Sequence, residues 1–584
     1  MSDQHPPTGP IEPRPPVDPQ WGPPASDQPV HPAPGHQAPP GYGQQPPSPY
    51  GTPQQGQPPV FGQQPFGQPV GEPGQPAYGQ PAYGQPEYGA AYGDVVTGAP
   101  ARSKRGLALG GGALALALVA GGGLYFATAA SKGGGDQPED HVPSTAFAFA
   151  RVDLDPDADQ KVAIHEFAKK FPGGPKTTAG DPIDAILTEL FKEDTIKDKP
   201  ECNYEALIKP WLGKRIGVAA IPGAGGKTQP LLVIQVKDKD KAAAAKTTLT
   251  GDACGTPEPD ETQLRGFTMV DDYAVLSTTQ ADVDGAIAAT KTKSLKNADH
   301  FAKDIATLED NQIVVAWADL TRAFAAASKE APKLGMVPNS IAAEIKGRVV
   351  VGMHMGNDFA ELTGNVIDGP PIPGEASGDA STIKALPKNT VVAISASGVQ
   401  KQLQDSLKKM QDSGLPLDDM LEGAGKAYGL NIQEDLLPLL GSTMTLSVGE
   451  IPEDNPLDAE FGLQSTVEDP AKAAAIGKKL SALAKQQGVP VEAQVKGNTF
   501  YLTSKGYAAE LQKDGGLGDS PIFVKAMGDL SGKLTGAAYV DFATLAKFGA
   551  GTGAGEDLEH LSAIGVTARV DEGIQKIRMR LVVK

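Results

Sequence analysis

The sequence predicts an α+β fold built from two tandem related units, each with a largely antiparallel sheet packed by helices. Three observations lead to this prediction. Alternating, strand-like segments are interspersed with segments of helical periodicity. Several strand pairs are separated only by short turns, and an ordered series of segments recurs later in the chain. The first unit spans residues 144–368, a linker spans 369–387, and the second unit spans 388–584.

The first unit opens with a strand and two helices. Ala146–Leu154 alternates apolar and polar residues, which predicts a strand, whereas Asp159–Phe171 and Asp181–Phe191 place apolar residues on one helical face. Further along, the aliphatic run Leu231–Val236 predicts a strand, and we expect a helix to begin near Lys239.

The stretch KPWLGKRIGVAAIP (209–222) predicts a corner that leads into a strand. Pro210 and Gly213 are turn-forming residues, and a run of small and β-branched residues follows them. Trp211 lies between the two, and we expect it to be a large apolar anchor that packs in the corner.

The second unit repeats this corner and its neighbourhood. LLPLLGSTMTLSVG (436–449) places Pro438, Leu439 and Gly441 opposite the Pro, Trp and Gly of the first corner. Alternating strands and a helix that opens with Lys-Ala-Ala also recur in the same order. An ordered series of this kind predicts an internal duplication.

The N-terminal region predicts a tail and one membrane span. Residues 1–101 are rich in Pro, Gly, Gln and Tyr, so they bury too little apolar surface to fold. Residues 106–130 carry no charge and are long enough to cross a bilayer as a helix. With its basic flank the transmembrane segment is 102–131, and a stalk at 132–143 follows. A signal peptide cleaved after the small residues near Ala129 is the alternative.

Charge predicts the orientation of the chain and excludes one class of partner. Arg102, Lys104 and Arg105 precede the span, which places the N-terminus in the cytoplasm and the C-terminal domain outside. Beyond the span Asp and Glu outnumber Lys and Arg, so nucleic acid is not an expected partner. The expected partner is the bilayer, through residues 106–130. We favour a flexible cytoplasmic spacer for the Pro/Tyr-rich tail, and a cytoplasmic protein that binds this tail is the alternative.

The two cysteines, Cys202 and Cys254, both lie beyond the span, in a compartment where disulfides persist. We expect them to pair, which would stabilise the fold by about 2–4 kcal/mol. Two buried free thiols are the alternative.

Several short segments resemble those of a known family. They are DLDPDADQK (153–161), KFP (170–172), the corner stretch at 209–222 and LLPLLG (436–441). With them, the chain from near residue 144 to its end resembles the domain of unknown function 3352 family of actinobacterial single-span membrane proteins. The resemblance implies location and architecture, and it brings no activity, cofactor or catalytic residue.

The turn after the first strand spaces acidic residues as a calcium loop does. Asp155, Asp157, Asp159 and Glu166 occupy positions 1, 3, 5 and 12 of that pattern. Against calcium, position 6 is Gln160 rather than the glycine that the loop requires, and a strand rather than a helix precedes it. We favour the alternative, a strand-to-helix turn in which one of the first aspartates caps the helix.

Other motifs argue against catalysis. IPGAGGKT (221–228) lacks the first glycine of a phosphate-binding loop and precedes a strand, so we expect a hairpin turn. The motifs GxSxG, HExxH and CxxC do not occur. Asp319 and Asp541 hold matching positions after a strand, and we expect helix caps rather than a carboxylate pair. The histidines considered as ligands stand alone in the sequence: His165, His300, His354 and His560.

Together these features predict a cell-envelope protein whose domain outside the cytoplasm has a non-enzymatic binding or structural role and no cofactor. The alternative is a carrier or binder of a lipid-like hydrophobic ligand in a cleft between the two repeats.

Overall fold

The computed structural model describes residues 136–171, 202–223, 227–251, 264–309, 311–330, 346–371, 378, 380–412, 429–452, 455, 458–513, 515–548 and 558–584. The predicted tail, the predicted span and the predicted helix Asp181–Phe191 lie outside these residues and stay predictions. Within them, no helix combines the length and the apolarity needed to cross a bilayer.

The described residues form sixteen strands. The first half contributes β1 (Ala148–Asp153), β2 (Leu212–Pro222), β3 (Thr228–Val236), β4 (Gly266–Val270), β5 (Tyr273–Ser277), β6 (Val314–Asp319), β7 (Arg348–Gly356) and β8 (Phe359–Ile367). The second half contributes β9 (Val392–Ser397), β10 (Thr443–Val448), β11 (Phe461–Thr466), β12 (Val491–Lys496), β13 (Thr499–Ser504), β14 (Gly536–Asp541), β15 (Leu561–Asp571) and β16 (Ile574–Val583).

Helices follow the strands in both halves. Those of the first half are α1 (Ala158–Ala168), α2 (Tyr204–Leu207), α3 (Lys239–Thr250), α4 (Gln280–Thr292), α5 (Phe301–Ile305) and α6 (Leu320–Glu330). Those of the second half are α7 (Ser381–Lys384), α8 (Val399–Asp412), α9 (Leu437–Leu440), α10 (Pro470–Gln486), α11 (Tyr507–Leu511), α12 (Pro521–Met527) and α13 (Phe542–Phe548). The α+β class is therefore confirmed.

All sixteen strands belong to one antiparallel sheet with the order β12-β13-β11-β10-β9-β14-β15-β16-β8-β7-β6-β1-β2-β3-β5-β4. The prediction of a separate sheet in each unit is wrong, because β8 and β16 pair and join the halves. Each would otherwise be an edge strand with unpaired backbone groups, which pairing satisfies. Read outward from this joint, the strand order of the two halves is the same.

A charged pair lies at the joint. Strand pairing places Arg580 of β16 opposite Glu361 of β8. Arg580 Nε donates to Glu361 Oε2 at 2.8 Å, and the glutamate is buried. The guanidinium carbon of Arg580 lies 4.2 Å from the ring centroid of Phe359. Because a shifted register would leave a buried charge uncompensated, the pair favours this alignment of the two halves.

Alternation along the strands gives the sheet two faces. We call the face that carries Phe149 and Tyr539 the back face; α4 and α5 cover it in the first half, and α7, α11 and α12 cover it in the second. We call the other face, which carries Val152 and Ile394, the front face. In the first half α1, α2 and α3 contribute to its core, and at the far edge of the second half α9 and α10 do so.

The back face has the same aromatic contact in both halves. Phe301 packs edge-on against Trp317 of β6 with ring centroids 5.5 Å apart. Phe523 packs in the same way against Tyr539 of β14 at 5.1 Å. Edge-to-face pairs of this kind add to the stabilisation that burial gives. Equivalent strands therefore carry equivalent packing as well as equivalent order.

Several predicted elements are confirmed. β1 lies within residues 146–154, the run 231–236 lies in β3, and α3 begins at Lys239. The strands on either side of residues 224–226, which lie outside the described residues, pair as the predicted hairpin, and the Gly223 N–H donates to the Lys227 carbonyl at 2.8 Å.

The predicted stalk needs a correction. Residues 136–143 belong to the folded part: Pro138–Asp140 form a 3-10 turn, and Val142 is fully buried. Glu139 is also buried and forms an ion pair with Arg151 of β1. A short segment with one apolar side chain has no periodicity, so its composition alone resembles that of a linker.

Candidate functional site

Trp211 fills the first corner. Its side chain is 1% exposed, and its indole Nε1 donates to the Leu207 carbonyl. Its own carbonyl accepts from the Lys237 N–H at 2.9 Å. Gly213 is required for the close approach of two chain segments, because a Cβ there would lie 2.8 Å from the Gln235 carbonyl oxygen. These contacts describe a packing site rather than a ligand site.

The second corner is built differently around the same positions. Leu439 is 5% exposed, and its carbonyl accepts from the Ser465 hydroxyl. Pro438 lies in the first turn of α9. Gly441 has φ +60°, and a Cβ there would lie 2.1 Å from the Thr466 carbonyl oxygen. The sequence equivalence of the corners therefore corresponds to two buried anchors, each followed by a glycine under steric constraint.

Asp155 of the acidic turn is held by lysines. Lys161 contacts one oxygen of its carboxylate and Lys214 contacts the other. The hydrogen bond from Lys161, followed by that from Lys214, holds the pKa of Asp155 below its usual value. The charge that calcium would use is already compensated by these cations.

The other calcium candidates are not gathered around Asp155. Asp157 is the residue before α1, but its side chain makes no capping hydrogen bond, so the predicted cap is correct in position only. Asp159 is exposed in the first turn of α1. Glu166 forms an ion pair with Lys169 at 3.0 Å. In the described part of the chain these four acids form no group with ligand spacing.

Only one of the two cysteines lies in the described part of the chain. Cys202 is half-buried just before α2, and Cys254 lies outside the described residues, so their pairing stays a prediction.

Asp319 accepts a hydrogen bond from the Arg322 N–H at 3.0 Å, which caps α6. Asp541 accepts from the Thr544 N–H at 3.0 Å, which caps α13. The cap prediction for both aspartates is confirmed, and each carboxylate is used locally.

The front face of the second half has an inverted polarity. In β9, Ile394 is 45% exposed, whereas Ser395 is buried. In β10, Leu446 is 40% exposed, whereas Thr445 is buried and its hydroxyl donates to that of Ser395 at 2.9 Å. Large aliphatic side chains thus face outward, and small hydroxyl side chains face the core. This is the reverse of the usual distribution.

The apolar surface extends over five adjacent strands. Cross-strand pairing aligns three rows of exclusively apolar residues over β10, β9, β14, β15 and β16. The rows are Met444, Ala396, Gly536, Ala568 and Ile577; Leu446, Ile394, Ala538, Val566 and Met579; and Val448, Val392, Val540, Ile564 and Leu581. We call these fifteen residues the apolar front patch. Ile577, at 47%, is its most exposed large side chain.

A shallow pocket adjoins the opposite face of the same strands. Its cavity volume is about 10 Å³, and Gly378, Ser397, Thr443 and Leu534 are among its lining residues. Ligand sites usually enclose roughly 300–1,000 Å³. The apolar front patch is therefore the stronger candidate for a binding surface than this pocket.

A cluster of side chains that could hold a metal ion lies near the start of the described chain. Asp136, His141 and Asp271 each offer one oxygen or nitrogen atom, and these atoms lie within 4.8 Å of one another. Burial lowers the pKa of the His141 imidazole, and the nearby Asp136 and Asp271 oppose that shift. His141 is buried, whereas both aspartates are exposed.

The sequence analysis predicted neither the apolar front patch nor the cluster of Asp136, His141 and Asp271. Asp136 and His141 fall in the segment predicted to be a stalk, and Asp271 lies far along the chain, in the turn between β4 and β5. The alternation of Ile394 and Leu446 with Ser and Thr was visible, but a period of two does not say which side is covered.

A family model described as "Protein of unknown function (DUF3352)" matches residues 109–550. No curated protein and no solved structure matches the chain.

Proposed function

The chain belongs to the DUF3352 family of proteins of unknown function, and from that premise we propose that it is a non-enzymatic binding or structural protein of the cell envelope. In this proposal a single span at 106–130 anchors the chain, the Pro/Tyr-rich tail lies in the cytoplasm, and the described domain lies outside. The domain binds its partner through the apolar front patch.

The inverted polarity of β9 and β10 carries this proposal. Ile394 and Leu446 leave large apolar areas in water, at about 25 cal/mol of unfavourable free energy per Å². Contiguous exposed apolar surface on a folded protein marks a site of interaction. The buried hydroxyls of Ser395 and Thr445 are hydrogen-bonded to each other, so burying them in this orientation leaves neither without a partner. A partner that covers the front patch would remove the unfavourable exposure.

A lipid-like ligand is the second candidate, and the chemistry of the patch favours it. The three rows contain no polar side chain that could orient a polar partner. Only residues 131–135 separate the predicted span from Asp136, and five extended residues cover at most about 18 Å. The domain would then stay close to the bilayer. The ligand would lie on an open sheet face beside the β8–β16 joint rather than in a deep cleft.

We further propose that the two halves arose by duplication. The identical strand order, the matched pairs Phe301–Trp317 and Phe523–Tyr539, and the caps at the ends of β6 and β14 support this origin. Three independent features at equivalent positions are difficult to obtain from unrelated units.

The test uses the full-length chain and the double variant Ile394→Thr/Leu446→Thr, which places a β-branched, strand-favouring side chain at both positions. The control is Val162→Thr/Val489→Thr, because both valines are exposed aliphatic residues outside the patch. Crosslinking in intact cells and mass spectrometry of organic extracts measure bound protein and bound lipid. We expect the patch variant to lose its partner while its free energy of unfolding stays unchanged.

The two readouts separate the candidates. A defined lipid recovered with the wild type and lost from the patch variant identifies a carrier, whereas a crosslinked protein lost in the same way identifies a binding scaffold. Equal recovery from the patch and control variants would refute a role of the patch in binding.

A further inference from the structure

We propose that Asp136, His141 and Asp271 form a binding site for one divalent transition-metal cation of the zinc class. This site lies apart from the apolar front patch, and it does not depend on the function proposed for that patch. Two carboxylate oxygens and one imidazole nitrogen would bind the cation, and water would complete its coordination.

The spacing of the three donors suits a small cation. The donor atoms lie within 4.8 Å of one another. Zinc bonds of about 2.0–2.2 Å place the ligands of a tetrahedral site about 3.5 Å apart. Both aspartate side chains are exposed, so small rotations about their side-chain bonds close the remaining distance without a change in the core.

The imidazole supplies the observation that acidic side chains alone would not. His141 is 7% exposed, and its Nε2 is buried without a hydrogen-bond partner. Buried polar atoms are almost always satisfied, and an unsatisfied one points to an absent water or ion.

The backbone holds the first ligand in place. The Asp136 carbonyl accepts from the Tyr273 hydroxyl at 2.7 Å and from Arg215 Nη1 at 3.3 Å. The ring of His141 packs against that of Tyr273 with centroids 4.3 Å apart and an angle of 35° between the ring planes. Tyr273 directly follows the hairpin turn that contains Asp271 and Asp272, so the residue whose side chain contacts Asp136 and His141 lies two positions from the third ligand. Such support keeps donors close to their binding geometry.

The neighbouring acids are already neutralised. Asp140 forms an ion pair with Lys296 at 2.9 Å, and Asp272 forms one with Lys239 at 2.8 Å. In the part of the chain that the structure describes, no such cation pairs with the Asp136 or Asp271 carboxylate. The two aspartates therefore retain charge that a cation can compensate.

The donor set indicates the class of metal. Imidazole suits zinc, copper, iron and nickel, whereas magnesium and calcium prefer oxygen ligands alone. One nitrogen with two carboxylates therefore favours zinc over calcium. Three protein ligands leave at least one position for water or for a ligand of the metal.

The second half provides a contrast within the same chain. Counted from the first residues of β1 and β9, the positions of Asp136 and His141 correspond to Ala380 and Ala385. In the turn between β12 and β13, Gly497 takes the place of Asp271, and both residues have positive φ. The second half thus keeps the scaffold and lacks all three donors.

The experiment measures zinc bound to the purified full-length chain by equilibrium dialysis and elemental analysis. Asp136→Asn and Asp271→Asn remove one ligand charge each and keep the side-chain size, and Asn tolerates the positive φ of position 271. Asp272→Asn is the matched control, because it makes the same charge change in the same turn. Thermal melting in the presence and absence of zinc checks folding and gives a second readout.

We expect the wild type and Asp272→Asn to bind about one zinc ion per chain, with three protein ligands, and to melt at a higher temperature when loaded. Asp136→Asn and Asp271→Asn should lose this ion and this shift while melting normally without zinc. Absence of zinc from the wild type would overturn the proposal. So would equal zinc binding by all four proteins, or calcium binding in preference to zinc.

Discussion

The two halves of the sheet have the same strand order and differ in what covers their front face. In the first half, Ile164 of α1 and Trp211 of the corner are each 1% exposed and close the front core. In the second half, Ile394 and Leu446 remain largely exposed. Because backbone pairing sets strand order and side chains set the cover, one scaffold can be a closed core in one half and an open surface in the other.

The two halves also differ on the back face, where the first half is the one with unusual residues. There the first half carries the chemically distinctive residues Asp136, His141 and Asp271, and the second half has alanine or glycine at the corresponding positions. The two halves therefore differ on opposite faces, with exposed apolar surface in one and candidate metal ligands in the other. Two halves with the same strand order can differ in this way because each face is packed by its own helices.

The largest expected effect is the loss of folding stability when the buried side chain of each corner is truncated to alanine. Its size in the two corners compares how much each side chain stabilises the fold. Trp211→Ala should lower the free energy of unfolding by about 3–5 kcal/mol and Leu439→Ala by about 2–4 kcal/mol, because the larger buried side chain leaves the larger cavity. Chemical denaturation of the full-length variants measures both. A loss below about 1 kcal/mol for Trp211→Ala would contradict its role as a packing anchor.

Alanine substitutions of the two corner glycines should lower stability by intermediate and different amounts. Gly441→Ala should destabilise the fold by about 3 kcal/mol, since it combines a left-handed backbone with a clash against the Thr466 carbonyl. Gly213→Ala has the clash alone and should lower stability by about 1–2 kcal/mol. Gly488→Ala is the control, because that glycine has φ +80° and open space around it. If Gly488→Ala and Gly441→Ala proved equal, the close approach at the second corner would be unimportant.

The smallest effect concerns the acidic turn, which the second half lacks: counted from β1 and β9, Asp155 corresponds to Val399. Lysines lower the pKa of Asp155 in the folded state, so its contribution to stability is present above the usual pKa of 3.8 and is lost as pH falls below that value. Asp155→Asn should melt slightly below the wild type at pH 7, and the two melting curves should converge at acid pH.

Calcium gives the complementary check on the acidic turn. Added calcium should leave the melting temperature of the wild type unchanged, because Lys161 and Lys214 already compensate the Asp155 carboxylate. A melting difference between wild type and Asp155→Asn that is independent of pH, or a rise with calcium, would contradict this view of the turn.

Local signals predicted local structure well. Two-residue alternation gave β1, the polar start of a helical run gave α3, and the aspartates at the ends of β6 and β14 are caps as expected. Each of these features depends on neighbours a few residues away. The residues that produce each of these features are therefore only a few positions apart in the sequence.

The sites could not be predicted in the same way. Two donors of the proposed metal site flank a 3-10 turn and the third lies in a hairpin turn in a distant part of the chain, and only the fold brings them within 4.8 Å. The apolar front patch is spread over five strands, each of which has an ordinary alternating pattern. Neither arrangement leaves a contiguous motif.

The sequence by itself determined the α+β class, the two buried corners and the caps at Asp319 and Asp541, and it predicted a correspondence between the halves. Only the tertiary structure decided that β8 pairs with β16 in one continuous sheet, and that Ile394 and Leu446 face outward. The physical reason is that alternation defines two faces for every strand, whereas long-range packing of helices and partner strands decides which face is covered.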